Sequence, residues 1–533
     1  MLEPGKTELA SSSRLPLVAV ALSVLSVASV LTGCAIGPKY APPSVDLPSA
    51  LPDISDRTVA QTPVDSAWWR AFNDPTLDRL VDMAHHQDLP LQVTGLNILA
   101  SRASLGLAVG RQYPQLQAAF ANASAIGLSE RAINFSKLDP SFQNFADYQI
   151  GFDALWELDF WHKFRKGVKA GAAGYLASVA DYDNALVSLT AEVARTYTAI
   201  RTFEVLLEQA RQNATLQEEG LRIAEARFRH GATSELDVAQ ATTLLEGTRA
   251  SIPQLQLSLQ QSQNALSTLL GQRPRTLDAI LQAPKGIPTV PANVAVGVPA
   301  DLLRRRPDVR NAELDVVAQT ERVGIAAADL RPRFTLSGTL GYQTSSGAAG
   351  LGGSLLSPAS FMYNLGAGLL YPFFNYDRIH NNIRIEDAAL QQTVVSYQHA
   401  VLKAVQEVDD GLAGFRRSQE AAVFQANAVK AAQRSVELSM VQYREGAVDY
   451  QRVIDAQRSL LLQENNLAET RSAIATSYIA LYKALGGGWE LRRGQPFVPD
   501  ELANEMKRRT DWGDLFTKPP AEKTIQKLDS QPR

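Results

Sequence analysis

Every seventh position from Leu186 is apolar: Leu186, Val193, Ile200, Leu207, Ala214, Leu221 and Phe228, with Leu189, Phe203 and Ala210 three positions on. A second column runs Val394, Val401, Val408, Phe415, Ala422, Val429, Val436 and Tyr443. So regular a seven-residue repeat predicts helices wound at 3.5 residues per turn, which supercoil left-handed against neighbours. At about 1.5 Å per residue, a helix of about sixty residues reaches about 90 Å. Such lengths suit struts or walls. Each column stops at a glycine, Gly231 or Gly446, and a new helical pattern begins within a few residues, with Ser234 or Asp449 placed to cap it. Each helix pair is therefore a long antiparallel hairpin.

Upstream of each hairpin the period changes to two. From Tyr148 to Asp159 the even positions are apolar and the odd ones mostly polar or small; Phe334, Leu336, Leu340 and Tyr342 alternate likewise with Thr335, Ser337, Thr339, Gly341 and Gln343. Tyr363, Leu365, Ala367, Leu369 and Tyr371 form one face of a further strand, and a segment near Leu116 to Ile126 alternates weakly. Alternating strands of about ten residues with aromatics near their ends fit a transmembrane barrel, and equally a half-buried soluble sheet. Four strands cannot close a barrel, because the smallest need about eight. A homo-oligomer sharing one barrel resolves this, and three copies supply about twelve strands.

The chain is internally duplicated. Phe228-Arg229-His230-Gly231-Ala232 matches Tyr443-Arg444-Glu445-Gly446-Ala447 at an offset of 215, and the same offset aligns Glu192-Val193 with Glu407-Val408 and Leu270-Gly271 with Leu485-Gly486. The expected organisation is a signal peptide over 1–33, an N-terminal linker over 34–66, a first repeat over 67–271, a linker over 272–298, a second repeat over 299–488 and a polar tail over 489–533. The strand pairs fall near 115–159 and 333–373, and the hairpins over 172–271 and 384–487.

Lys6 and Arg14 precede an apolar run from Leu15 to Leu31 that ends in Leu31-Thr32-Gly33-Cys34, the form of a cleaved leader. The last four residues resemble a bacterial lipobox, which implies that Cys34 becomes an acylated N-terminus; an uncleaved transmembrane anchor is the other reading. Pro38, Pro42 and Pro43 make poor continuation for a helix. Ala35 after the cysteine resembles the outer-membrane sorting pattern. No later stretch is expected to span a bilayer as a helix.

Composition narrows the function. With 52 Lys and Arg against 55 Asp and Glu, the net charge is −3, which argues against a nucleic-acid partner. One cysteine excludes an intrachain disulfide framework, and the six histidines never pair with it at zinc spacing. Gly347 to Gly353 lacks the lysine of a phosphate loop and reads as a flexible connection. The Arg304-Arg305-Arg306 cluster, with Asp301 and Asp308 close by, suits interhelical ion pairs better than an anion site.

Trp68-Trp69 with Phe72-Asn73-Asp74-Pro75, the run Trp156-Glu157-Leu158-Asp159-Phe160-Trp161, Leu302-Leu303-Arg304-Arg305-Arg306-Pro307-Asp308, Asp455-Ala456-Gln457-Arg458 and Leu485-Gly486-Gly487-Gly488-Trp489 follow in order around the duplication. Together they resemble the outer-membrane factor family of tripartite efflux and secretion systems, the TolC-like channels, and within it the lipidated OprM/NodT-like branch. The fold this implies is an α+β membrane protein: long coiled-coil helical hairpins plus four β-strands per chain, trimerised into a twelve-stranded transmembrane β-barrel and a twelve-helix periplasmic α-barrel. It implies localisation in the outer membrane of a Gram-negative bacterium, with Cys34 as lipid anchor, and the barrel in contact with outer-membrane lipid. It also implies a non-enzyme without cofactors, partnered by a periplasmic adaptor and a proton-driven inner-membrane pump, that exports small toxic compounds. Type I protein secretion, or a lipid-anchored periplasmic coiled-coil scaffold, are the alternatives.

The resemblance places a closing ring at Asp455 and Arg458. Three residues apart on a helix, they also suit an intrahelical surface pair. Gln451 stands where the family pattern often has Leu, which favours a polar constriction over a hydrophobic seal. Tyr443 matches an aperture position, although its heptad column equally predicts core packing. Gly231 and Gly446 match tips that adaptors approach, and both also read as helix C-caps.

Overall fold

A computed structural model of the chain describes residues 36–45, 59–60, 65–129, 131, 144–281, 286–295, 305–346 and 354–516. Cys34, the leader and the Gly347–Gly353 segment lie outside the described residues.

The first repeat contains α1 (Pro75–Gln87), α2 (Leu89–Gly110), β2 (Leu116–Gly127), β3 (Asn144–Glu157), α3 (Lys163–Arg229) and α4 (Glu235–Leu269). After the short α5 (Asp278–Leu281), the second contains α6 (Pro307–Ala328), β5 (Arg333–Ser346), β6 (Phe361–Leu370), α7 (Arg378–Arg444) and α8 (Tyr450–Ala484). The strands β1 (Val59–Ala60) and β4 (Val294–Ala295) pair in parallel and join the two linkers. A last helix, α9 (Asp500–Arg509), follows the repeats.

The duplication holds to the residue. The long helices α3 and α7 have 67 residues each, and their return helices α4 and α8 have 35 each. A 67-residue helix is about 100 Å long. The long helices begin at Lys163 and Arg378, earlier than the apolar columns suggest: the first turns of α3 carry small residues, Gly167, Gly171 and Gly174, and those of α7 carry Ile379 and Ile383, which fall off the seven-residue column. In α3, Leu186, Val193, Ile200 and Leu207 are buried, and in α7 so are Val401, Val408, Phe415, Val429 and Val436. This buried stripe is what holds the hairpins together.

The four strands form one antiparallel sheet in the order β2-β3-β5-β6. Register puts Phe152 opposite Leu340, Trp156 opposite Leu336 and Leu340 opposite Tyr363, so bulky apolar side chains share one face. Asp147 opposite Ser345, Gln149 opposite Gln343 and Asp153 opposite Thr339 share the other. Asp147 accepts hydrogen bonds there from Gln149, Gln343 and Ser345, and Asp153 from Thr339. On β2 the apolar face is Ala119, Ala121, Ala123 and Ala125, which explains its weak alternation in sequence. Gly151 and Gly341 lie side by side, where a β-carbon on either would meet the partner's backbone at under 3 Å.

The Trp156–Trp161 run forms the corner between sheet and helix. Asp159 accepts from the backbone N–H groups of Phe164 and Arg165, capping α3, while Trp161 donates to the Pro332 carbonyl. His162 and, in the second copy, Tyr376 and Asp377 turn the chain with positive φ. The Trp68-Trp69 motif is core: Trp68 stacks on Tyr482 at 5.7 Å, and Asp74 caps α1 through Thr76 and accepts from Tyr197.

One expectation needs correction. The helix α2, 22 residues long, is long and apolar enough to cross a membrane by length and composition, whereas no such stretch was expected after the leader. In the fold it packs on α3 through Leu105, Val168 and Ala172. The polar tail also carries structure. Trp489 to Phe516 folds back onto α2, where Val498 and Met506 bury against Leu99 and Arg492 makes a two-pronged pair with Asp183 on α3. Of the arginine cluster, Arg304 and Asp301 lie outside the described residues, and Arg305 and Arg306 form ion pairs. Buried Arg306 contacts Asp308 and Glu407 at 2.7 Å each, and Arg305 contacts Glu490.

Candidate functional site: the hairpin tips

Both tips are built by the same local chemistry. At the end of α3, the Gly231 N–H donates to Phe228 and the Ala232 N–H to Arg227; at the end of α7, Gly446 donates to Tyr443 and Ala447 to Gln442. These are paired Schellman closures, which require a left-handed residue, and Gly231 and Gly446 supply φ of +72° and +78°. Ser234 and Asp449 occupy the following N-cap positions in extended conformation, but neither side chain makes a cap hydrogen bond. The Thr233 hydroxyl instead donates to Asp237.

The two tips carry different side chains. Tyr443 is 1% exposed and meets Tyr450 edge-on at 4.9 Å, whereas Phe228, its counterpart, is 43% exposed. The Tyr443 hydroxyl donates to the Asp237 carboxylate at 3.1 Å, linking α7 of the second hairpin to α4 of the first. Burial, aided by the Asp237 charge, pushes the Tyr443 phenol up to about 12. Of the two readings its sequence position allowed, the side chain takes core packing. The Arg227 guanidinium lies 4.8 Å from the Tyr443 ring centre and donates to the carbonyls of Tyr443 and Arg444. Arg444 approaches Glu219 on α3 at 3.8 Å.

Gln451, Asp455 and Arg458 form an exposed row on α8. The Gln451 amide donates to the Asp455 carboxylate at 2.9 Å. Among the described residues no ion pair joins Asp455 to Arg458, although three-residue spacing puts them on one face. Directly beneath, Val453, Ile454, Ala456 and Leu460 are buried against Met440 and Val436. A hydrophobic floor thus presents a polar row outward. Periodicity alone missed Arg227 and Asp237, because their partners lie on the other copy. The signal was present in the duplication: the offset of 215 places Gln442 opposite Arg227 and Arg452 opposite Asp237. Among the described residues no cluster of His, Cys, Asp and Glu could hold a metal ion.

A family model described as outer membrane efflux protein matches residues 80–272 and 298–487. Nodulation protein T of Rhizobium leguminosarum bv. viciae is 28% identical over 460 residues, 86% of this chain and 92% of that protein. The pyoverdine export outer membrane protein OpmQ of Pseudomonas aeruginosa is 31% identical over 436 residues, covering 80% of this chain and 88% of that protein. Among solved structures, the outer-membrane channel OprN matches with a TM-score of 0.80 at 30% identity, over 86% of this chain and all of that one.

Proposed function

The chain belongs to the outer membrane efflux protein family, and from that premise we propose that three copies close a single duct that passes small toxic compounds out of the cell. The carrying observation is the open four-stranded sheet. Among the described residues the outer edges of β2 and β6 pair with no strand. An unpaired edge in lipid leaves backbone groups without partners, each at a cost of several kcal/mol, so a membrane sheet must close. Three four-stranded sheets close as twelve strands, with the face of Phe152, Leu340 and Tyr363 toward lipid and that of Asp147, Gln149 and Gln343 toward a watered lumen. The twelve long and return helices of three chains continue the duct into the periplasm as a second barrel.

Cys34 is the lipid attachment point, and it anchors the N-terminus in the same outer membrane. The duct is passive: it performs no chemistry and needs no cofactor, and energy enters from a proton-driven inner-membrane pump through a periplasmic adaptor. The adaptor approaches the tips at Gly231 and Gly446. Asp455 and Arg458, with Gln451 one turn before, ring the aperture. Because Asp455 and Arg458 do not pair with each other in one chain, both remain available to neighbours across a threefold axis. Tyr443 supports that aperture from behind, through Asp237 and Tyr450.

Release of a small dye from liposomes containing the purified protein tests this reading. Asp455→Ala with Arg458→Ala should speed release relative to the parent. Absence of release from both, with the strands protected from aqueous labelling, would leave a lipid-anchored periplasmic scaffold in its place.

A further inference from the structure

Duplication gives each chain two tips built on the same turn, yet the cation at Arg227 of the first has no charged counterpart at the equivalent position of the second. Arg227 projects from the last turn of α3 and reaches across to the end of α7. It donates to the Tyr443 carbonyl, which also accepts from the Gly446 N–H, to the Arg444 carbonyl, and at 3.3 Å to the Ala232 carbonyl of its own turn. Its central carbon lies over the Tyr443 ring, 4.8 Å from the ring centre, and a β-carbon on Gly446 would stand 3.5 Å from both terminal nitrogens. One guanidinium therefore spans both tip turns. The negative end of the α7 dipole adds to its hold.

At the duplicated position stands Gln442, a neutral side chain that is exposed. The sequence thus keeps the backbone of the tip in both copies and places the clamp in one.

We infer that Arg227 is a positioning residue for the aperture: by clamping the C-terminal turn of α7 to the first hairpin, it fixes where α8 begins and so where Asp455 and Arg458 stand. This rests on the duct reading above. The chain between the clamped carbonyls and Gln451 is only a Schellman turn and one helical start, with Tyr450 buried directly behind, so displacement of the α7 terminus carries the polar row with it. Widening of the aperture by outward movement of the second hairpin must break the carbonyl bonds and the cation–ring contact together. A planar, multi-pronged donor is suited to this, and lysine replaces it only in part.

The test is planar-bilayer recording of the purified full-length protein, with thermal unfolding of helix content followed in parallel. Arg227→Gln, which copies the second tip, should shift the closed–open equilibrium toward open about tenfold, equivalent to about 1.4 kcal/mol. Arg227→Lys should give a smaller shift in the same direction, and Gln442→Ala none. Should Arg227→Gln fail to assemble, Arg227→Lys supplies the same readout. Lowered thermal stability with parental gating in the assembled variants would reduce Arg227 to a structural contact and overturn the inference. Asp455→Ala with Arg458→Ala is the reference: if it conducts more than the parent while the Arg227 variants do not, the clamp alone fails. If no variant conducts, the duct reading fails.

Discussion

The two copies within this chain are matched in length and mismatched in chemistry. Their long helices, return helices and tip glycines superpose at one offset, yet Asp455 and Arg458 correspond to Gln240 and Thr243, Gln451 to Leu236, and Tyr443 to Phe228. Helix length is the same in both, 67 residues out and 35 back, and a heptad column recurs in each long helix. Side chains at the tips share no such pattern: one copy carries the charges and the buried tyrosines while the other carries the clamp. On the proposed reading, the second hairpin holds the aperture, and the first holds the second hairpin.

Pro253 in α4 has Ala468 as its counterpart in α8. Proline in a helix interior removes one hydrogen bond and costs about 3 kcal/mol relative to alanine. Pro253→Ala should therefore raise the stability of the first hairpin by up to about 3 kcal/mol, measured by denaturant unfolding. An unchanged midpoint would mean that the return helices are equivalent despite the proline.

The strands offer the next test. Leu340→Arg, on the face assigned to lipid, should cost about 2–4 kcal/mol if it lies near the bilayer midplane and sharply reduce the yield of assembled oligomer. Gln149→Arg, on the opposite face, should assemble normally. Equal yields would remove the distinction between the two faces.

At the tips, Gly231→Ala and Gly446→Ala should each cost about 1–2 kcal/mol, because both turns need positive φ. Gly446→Val should additionally disturb gating by crowding Arg227, whereas Gly231→Val, with no atom near its β-carbon, should not.

The smallest effect separates the copies by pH. Burial, and next the neighbouring His86, lower His85 to about 4. Its Nε2 lies 2.8 Å from the Thr190 hydroxyl, which itself donates to the Leu186 carbonyl, so the neutral ring donates to Thr190. With a folded value below the ordinary one near 6.5, the neutral form contributes stability above about pH 6.5 that is lost as pH falls toward 4. His85→Gln should flatten the decline of melting temperature across that window; an identical slope would show that other groups set it.

Much of this architecture was legible in sequence. Period seven marked the hairpins, period two marked three of four strands, and the glycines marked the turns. Three features were not legible, each for a physical reason. The helix α3 begins before its apolar column because glycine and alanine pack closely without a bulky stripe, and α7 because its early isoleucines, Ile379 and Ile383, fall outside the seven-residue register. The tail from Trp489 to Phe516 looked polar because it docks through a few anchors, Val498 and Met506 among them, and through the Arg492 pair. Arg227 and Asp237 were missed because each gains its role from a residue more than 200 positions away. Comparing the copies for charge differences, rather than for matches, would have found both.

Single-channel conductance compared between the tips tests the central claim most directly. Asp455→Ala with Arg458→Ala in the second copy should raise the open fraction of the purified protein, while Gln240→Ala with Thr243→Ala at the equivalent first-copy positions should leave it at the parental level. Equal changes from both pairs, or a change from the first-copy pair alone, would contradict the assignment of the aperture to the second tip.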